Sequence, residues 1–129
     1  MLRSGILNPH VLELLARVRH TNTLVIADRG FPFWPQIETV DISLTDDIPT
    51  VLDVVSLLRE SFVIGRVLQA KEFHTMNTAA TREKFAEALR GLSVETIPHE
   101  SLKQHVPKTI GLIRTGDTTQ YANLIVESA

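Results

Sequence analysis

Thr23-Leu24-Val25-Ile26-Ala27, running into Asp28-Arg29-Gly30, is the stretch from which the fold is read. Its five residues are nearly all apolar and rich in β-branched side chains, and polar residues bound them on both sides. That pattern suits a strand buried on both faces, as in a parallel sheet covered by helices. Asp28-Arg29-Gly30 closes the strand, and Phe31 to Pro35, with two prolines, is a loop. Upstream, Asn8-Pro9 reads as an N-cap with proline at the first helical position. Val11, Leu12, Leu14, Leu15 and Val18 then recur at helical spacing, which predicts a helix over 9–19.

Downstream the alternation continues. Strands are expected at 39–44, 62–70, 94–97, 109–114 and 122–126. Helices are expected from Pro49, from Thr78 to an end at Gly91, and over 98–104. Strands alternating with helices predict an α/β three-layer sandwich with a largely parallel central sheet and helices on both faces. The 129 residues, without a linker or repeat, fit one domain over 1–129.

Composition narrows the function classes. The formal net charge is −2 with the two signs interspersed, so no basic stripe offers a nucleic-acid surface. There is no cysteine, which excludes thiolate chemistry and fits a reducing compartment. Met1 to Pro9 lacks an apolar h-region and a cleavage site, and no apolar run reaches the roughly 18 residues of a membrane span. A cytoplasmic location without membrane contact is therefore expected. GxGxxG, GxxxxGK[ST], GxSxG and HExxH motifs are all absent, so no dinucleotide, P-loop, hydrolase-elbow or zincin reading has support. His10, His20, His74, His99 and His105 form no short-range pair, and His99 and His105, six apart, fall off one helical face. No metal and no cofactor is expected.

Ligands of open α/β sheets bind beyond the carboxyl ends of strands. Asp28, His99 and Tyr121 fall just after or between such segments, and each supports two readings. His20 is either a cation complementing a helix C-terminus or an imidazole for acid–base work near neutrality. Asp28 is either a turn aspartate before Gly30 or a carboxylate that orients a histidine or accepts sugar hydroxyls. His99 is either a solvated first-turn residue or a ligand contact. Tyr121 and Asn123 are either parts of a turn or hydrogen-bonding groups of a polar pocket. Phe31, Phe33 and Trp34 form an apolar loop that closes the core, forms an interface or stacks on a sugar.

These separate signals meet in one family. Gly5-Ile-Leu-Asn8 and the run from His20 to Pro32 (HTNTLVIADRGFP) resemble the N-terminal motif of the D-ribose pyranase branch of the RbsD/FucU family. Val40 to Thr45 with Ile48-Pro49, His99 to Gln104, and Ile113 to Asp117 with Tyr121 to Ile125 resemble the later motifs, in order, over almost the whole chain. The resemblance implies an isomerase that interconverts pyranose, furanose and anomeric forms of a free monosaccharide, D-ribose foremost, without cofactor. It implies His20 as catalytic proton donor and Asp28, His99, Tyr121, Ala122 and Asn123 as substrate-binding. It further implies a homodecamer of two stacked pentamers with sites shared between neighbours, in which Tyr121-Ala122-Asn123 is expected to complete a neighbour's pocket. A mutarotase for another sugar such as L-fucose, or a non-catalytic monosaccharide-binding accessory protein of sugar uptake, are the alternatives. Arg29 and Trp34 depart from the family pattern, since a small residue is usual at the first and a lighter one at the second.

Overall fold

The computed structural model describes residues 1–129. Six strands form one sheet in the order β2-β5-β1-β6-β3-β4. They are β1 (Thr23–Ala27), β2 (Glu38–Asp41), β3 (Ile64–Ala70), β4 (Val94–Ile97), β5 (Gly111–Arg114) and β6 (Leu124–Ser128). β1 and β2 run parallel to β5, and β3 runs parallel to β4. β6 lies antiparallel between β1 and β3. Five strands therefore share one direction and deliver their carboxyl ends to a single edge, where β6 begins.

The helices are α1 (Pro9–Ala16), α2 (Val51–Ser61), α3 (Lys71–Met76), α4 (Ala79–Ala88) and α5 (His99–His105), the last followed by a 3-10 turn at Val106–Lys108. Asn8 caps α1 as its position predicts, its Oδ1 accepting from the amides of His10 and Val11 at 3.0 and 3.1 Å. α1 ends earlier than residue 19 because the Arg19 guanidinium takes the Ala16 and Val18 carbonyls and Thr21 turns at φ 66°. Thr50 and Asp53 form a capping box that starts α2. Thr78 caps α4, and Gly91, at φ 82°, turns the chain after it.

The strand side chains alternate between two cores. Leu24, Ile26, Val67, Ile113, Leu124 and Val126 face α1, α2, α3 and α4 in the larger one. Val25, Ala27, Leu68, Leu112 and Ile125 face Phe31 and the α5 segment in the smaller one. This is the expected three-layer arrangement, with the second face more thinly covered. β1 is buried on both faces except at Thr23, as its unbroken apolar run predicts.

Several boundaries differ from the sequence reading. β2 stops at Asp41, whose carboxylate binds the Ser43 amide and hydroxyl and turns the chain away. β6 begins at Leu124 rather than Ala122, because Tyr121 sits at φ 54° in a turn. α3, between β3 and α4, is an element the periodicity did not predict. It starts on Ala70 with no side-chain cap and buries one residue, Phe73.

Candidate active site at the carboxyl edge of the sheet

The shared strand direction assembles the site. Asp28 leaves β1, α3 leaves β3, His99 opens α5 just after β4, and Gln120 to Asn123 lead into β6, all at one edge. Between them lies a cleft of about 340 Å³ lined by Asp28, Gly30, Phe31, Pro32, His99, Gln120, Tyr121 and Asn123. That volume is near the lower end for small-molecule sites.

Asp28 is fixed on both sides. Its amide donates to Asn123 Oδ1 at 2.8 Å, and Asn123 Nδ2 donates back to Asp28 Oδ2 at 3.1 Å. The Gly30 amide donates to Asp28 Oδ1 at 2.9 Å. Burial pushes the Asp28 carboxyl above the usual aspartate value. Donors from Gly30, Asn123 and Phe31 pull it back, and the nearby Asp117 charge adds to the rise. Asn123 is itself buried, so both ends of this pair are committed.

His99 lies across the cleft, its ring edge-on to Tyr121 at 5.1 Å and to Phe31 at 6.0 Å. Its Nδ1 is buried and has no partner in the chain. A buried, unpaired imidazole nitrogen beside a cleft is free to hydrogen-bond a group that enters it. Tyr121 is in the left-handed region at φ 54°, uncommon for a tyrosine and characteristic of sites where surrounding structure over-determines the backbone.

Four of the six residues singled out from the sequence, Asp28, His99, Tyr121 and Asn123, thus converge in one chain. Ala122 is fully buried in the larger core, beneath the cleft rather than lining it. His20 is not with them. It is exposed in the turn before β1, at the opposite end of that strand from Asp28. At about 3.3 Å per residue, the rise from Thr23 to Asp28 alone is roughly 16 Å. Within one chain Asp28 therefore does not orient His20. Tyr121 and Asn123 line the same chain's cleft as Asp28.

Phe31 belongs to the core and forms the cleft wall, whereas Phe33 is 71 % exposed. Trp34 packs on Phe31 with ring centres 6.1 Å apart. Arg29 pairs with Asp46 at 2.6 Å, not with Asp28, and so ties the loop before α2 to the end of β1. Pro32, Phe33, Trp34, Glu100 and Lys103 line a larger groove of about 530 Å³ beside the site. Its walls are largely apolar and carry no imidazole, whereas the smaller cleft brings an imidazole and a carboxylate together. Gln120 escaped the sequence reading, and only its proximity to Tyr121 pointed to it, whereas Phe31 was already among the apolar loop residues singled out there.

A polar cleft at the carboxyl edge of a mainly parallel sheet, walled by an aspartate, a histidine, a tyrosine and an asparagine, defines a small-molecule α/β protein equipped for polyhydroxyl ligands. The model of the RbsD / FucU transport protein family matches residues 1–129, and the chain belongs to that family. The D-ribose pyranase of Bacillus licheniformis is 36 % identical over 128 residues, covering 99 % of this chain and 97 % of that protein. The D-ribose pyranase of Streptococcus agalactiae serotype III is 33 % identical over the same shares. The structure of Bacillus subtilis RbsD complexed with D-ribose superposes with a TM-score of 0.91 at 31 % identity, covering 100 % of this chain and 98 % of that one. The fucose mutarotase of Streptococcus pneumoniae shares the fold, with a TM-score of 0.74 at 14 % identity over 95 % and 92 % of the two chains.

Proposed function

We propose that this protein is a D-ribose pyranase, a sugar ring-form isomerase acting as a single domain over residues 1–129. The observation that carries the reading is the convergence of Asp28, His99, Tyr121 and Asn123 on one cleft in a chain of this family. Opening a pyranose needs a proton taken from the anomeric hydroxyl and one delivered to the ring oxygen. A different hydroxyl then attacks the carbonyl and closes the furanose, or the same hydroxyl closes the other anomer. No electron transfer or covalent enzyme intermediate is required. Positioned acid–base catalysis contributes about 10²–10⁴-fold, enough for a reaction that already proceeds in water.

Asp28 and His99 hold sugar hydroxyls across the cleft, and Tyr121 and Asn123 fix the ring between them. Ala122 contributes through its backbone, since its methyl group is in the core. His20 delivers the proton to the ring oxygen from a neighbouring copy. Its exposure, and its place at the far end of β1 from its own chain's cleft, support a donor that reaches the site in trans. The exposed Phe33 and the groove beside it supply apolar surface at the mouth of the cleft, where a second copy would sit. A homodecamer of two pentamers, located in the cytoplasm, is the assembly this reading carries.

The substrate is an uncharged sugar. Arg29 is engaged by Asp46, and the Asp28 carboxylate beside the cleft repels a phosphate ester. Ring-exchange rates for D-ribose, L-fucose and ribose 5-phosphate test this assignment. D-Ribose is expected to exchange fastest, and a clear preference for either of the others would overturn it.

A further inference from the structure

We propose that α3 is a common anchor for both walls of the cleft, with Glu72 positioning His99 and Asn77 positioning the Gln120–Tyr121 turn. The proposal rests on the sugar-pocket reading above. α5 begins at His99 behind Pro98, which offers no side-chain cap. The cap comes instead from α3, where the Glu72 carboxylate accepts from the His99 amide, with Oε2 at 2.8 Å and Oε1 at 3.3 Å. A carboxylate on a helix's first amide is a charge-assisted bond placed at the positive end of the peptide dipoles. No other side chain bonds to His99, and its ring is otherwise held only by the edges of Phe31 and Tyr121. Glu72 therefore sets where the imidazole stands.

The opposite wall is tied to the same helix. Asn77 Nδ2 donates to the Phe73 carbonyl at 2.8 Å and to the Gln120 carbonyl at 2.9 Å. The second bond grips the turn one residue before Tyr121, whose left-handed backbone needs such a restraint. α3 is itself immobilised. Phe73 is fully buried against Phe85 with ring centres 4.5 Å apart. The Arg82 guanidinium of α4 caps its end by donating to the Asn77 and His74 carbonyls at 2.7 and 3.2 Å. Neither Glu72 nor Asn77 lines the cleft, so both are positioning residues.

The test combines NMR of the sugar-free protein with D-ribose exchange kinetics. In Glu72→Ala the His99 ring signals should move, and KM for D-ribose should rise about tenfold with a smaller fall in kcat. Glu72→Gln keeps an acceptor oxygen and should stay within about threefold of wild type, while its His99 amide proton moves upfield as the bond loses its charge. Asn77→Ala should move the Tyr121 ring signals and leave the His99 amide in place. In a His99→Ala background, Glu72→Ala should add no further loss, because it acts through His99. Multiplicative losses in that double variant, or unmoved His99 signals in both Glu72 variants, would overturn the proposal. If wild type neither binds nor exchanges D-ribose while the His99 signals still move, the sugar reading falls and the anchor stands. If Glu72→Ala does not fold, the amide shift and kinetics of Glu72→Gln decide alone, and an unshifted His99 amide refutes the role.

Discussion

Asp28 and Asn123, 95 residues apart, are locked together by two hydrogen bonds of 2.8 and 3.1 Å. One runs from the Asp28 backbone to the Asn123 amide oxygen, and the other runs from the Asn123 amide nitrogen to the Asp28 carboxylate. The pair joins the end of β1 to the start of β6 and fixes the carboxylate that faces the cleft.

Asn123→Ala should therefore fail twice. It strands the Asp28 backbone amide and takes one donor from a half-buried carboxylate that keeps the Gly30 amide, which at roughly 1–3 kcal/mol for each lost partner predicts a clearly lower urea midpoint. D-Ribose exchange should fall at least about tenfold, because Asp28 is then free to turn. Equilibrium unfolding and exchange kinetics on the same sample check both. Unchanged exchange in a folded variant would remove the pair from the site.

The raised Asp28 pKa gives a pH dependence with a definite sign. Burial is the largest cause, and it favours the protonated carboxyl in the folded state over the unfolded one, whose value is near 3.8. The stability contribution is complete below the unfolded value and is lost as pH rises through the higher folded value. Asp28→Asn does not titrate, so its stability relative to wild type should rise between those two points and then level off. If the carboxylate form binds sugar, wild-type exchange should also decline on acidification at a pH above 3.8. Denaturant titrations and exchange rates across that range test both, and a relative stability that falls with rising pH would contradict the assignment.

The loop 43–49 depends on one glycine. A Cβ on Gly116 would run into the Thr45 carbonyl oxygen and stand 3.0 Å from that of Ile48. Both obstacles are backbone and cannot swing aside. The Gly116 amide also bonds to Pro49 O at 2.9 Å and its carbonyl accepts from Asp47 at 2.6 Å. Gly116→Ala should cost more than about 2 kcal/mol, read as a fall in the urea midpoint, and an unshifted midpoint would contradict the packing described.

A proton donor supplied in trans predicts complementation. His20→Ala and Asp28→Asn should each be nearly inactive alone. Co-expressed in equal amounts, they should recover about a quarter of wild-type exchange, because one site in four pairs an intact His20 with an intact Asp28. Light scattering on the wild type should show an oligomer. Full activity in a stable monomer, or no recovery in mixed oligomers, would place the donor elsewhere.

Caps, turns and the layered α/β architecture were legible in the sequence, whereas element ends and some long-range placements were not. TLVIA, the Asn8 and Thr78 caps and the Gly91 turn are each decided within a few residues, and the structure shows all of them. α3 was illegible because it starts without a cap and buries only Phe73, so it has no periodicity to detect. The antiparallel direction of β6 was illegible because a doubly buried strand shows the same apolar run either way. Asp28, His99, Tyr121 and Asn123 were legible as candidates because each follows or precedes a strand. That His20 stands at the other end of β1 could have been read from the strand itself, since five extended residues separate it from Asp28. The bond from the His99 amide to Glu72 spans 27 residues across two elements and leaves no trace in sequence spacing.

In the proposed reaction this cleft opens and recloses D-ribose with a proton from His20. NMR saturation transfer between the pyranose and furanose lines of D-ribose, with and without protein, measures that directly. Transfer should be faster with wild type and near background with His20→Ala, although D-ribose still binds. Wild type that leaves the uncatalysed rate unchanged, or His20→Ala that matches wild type, would contradict it.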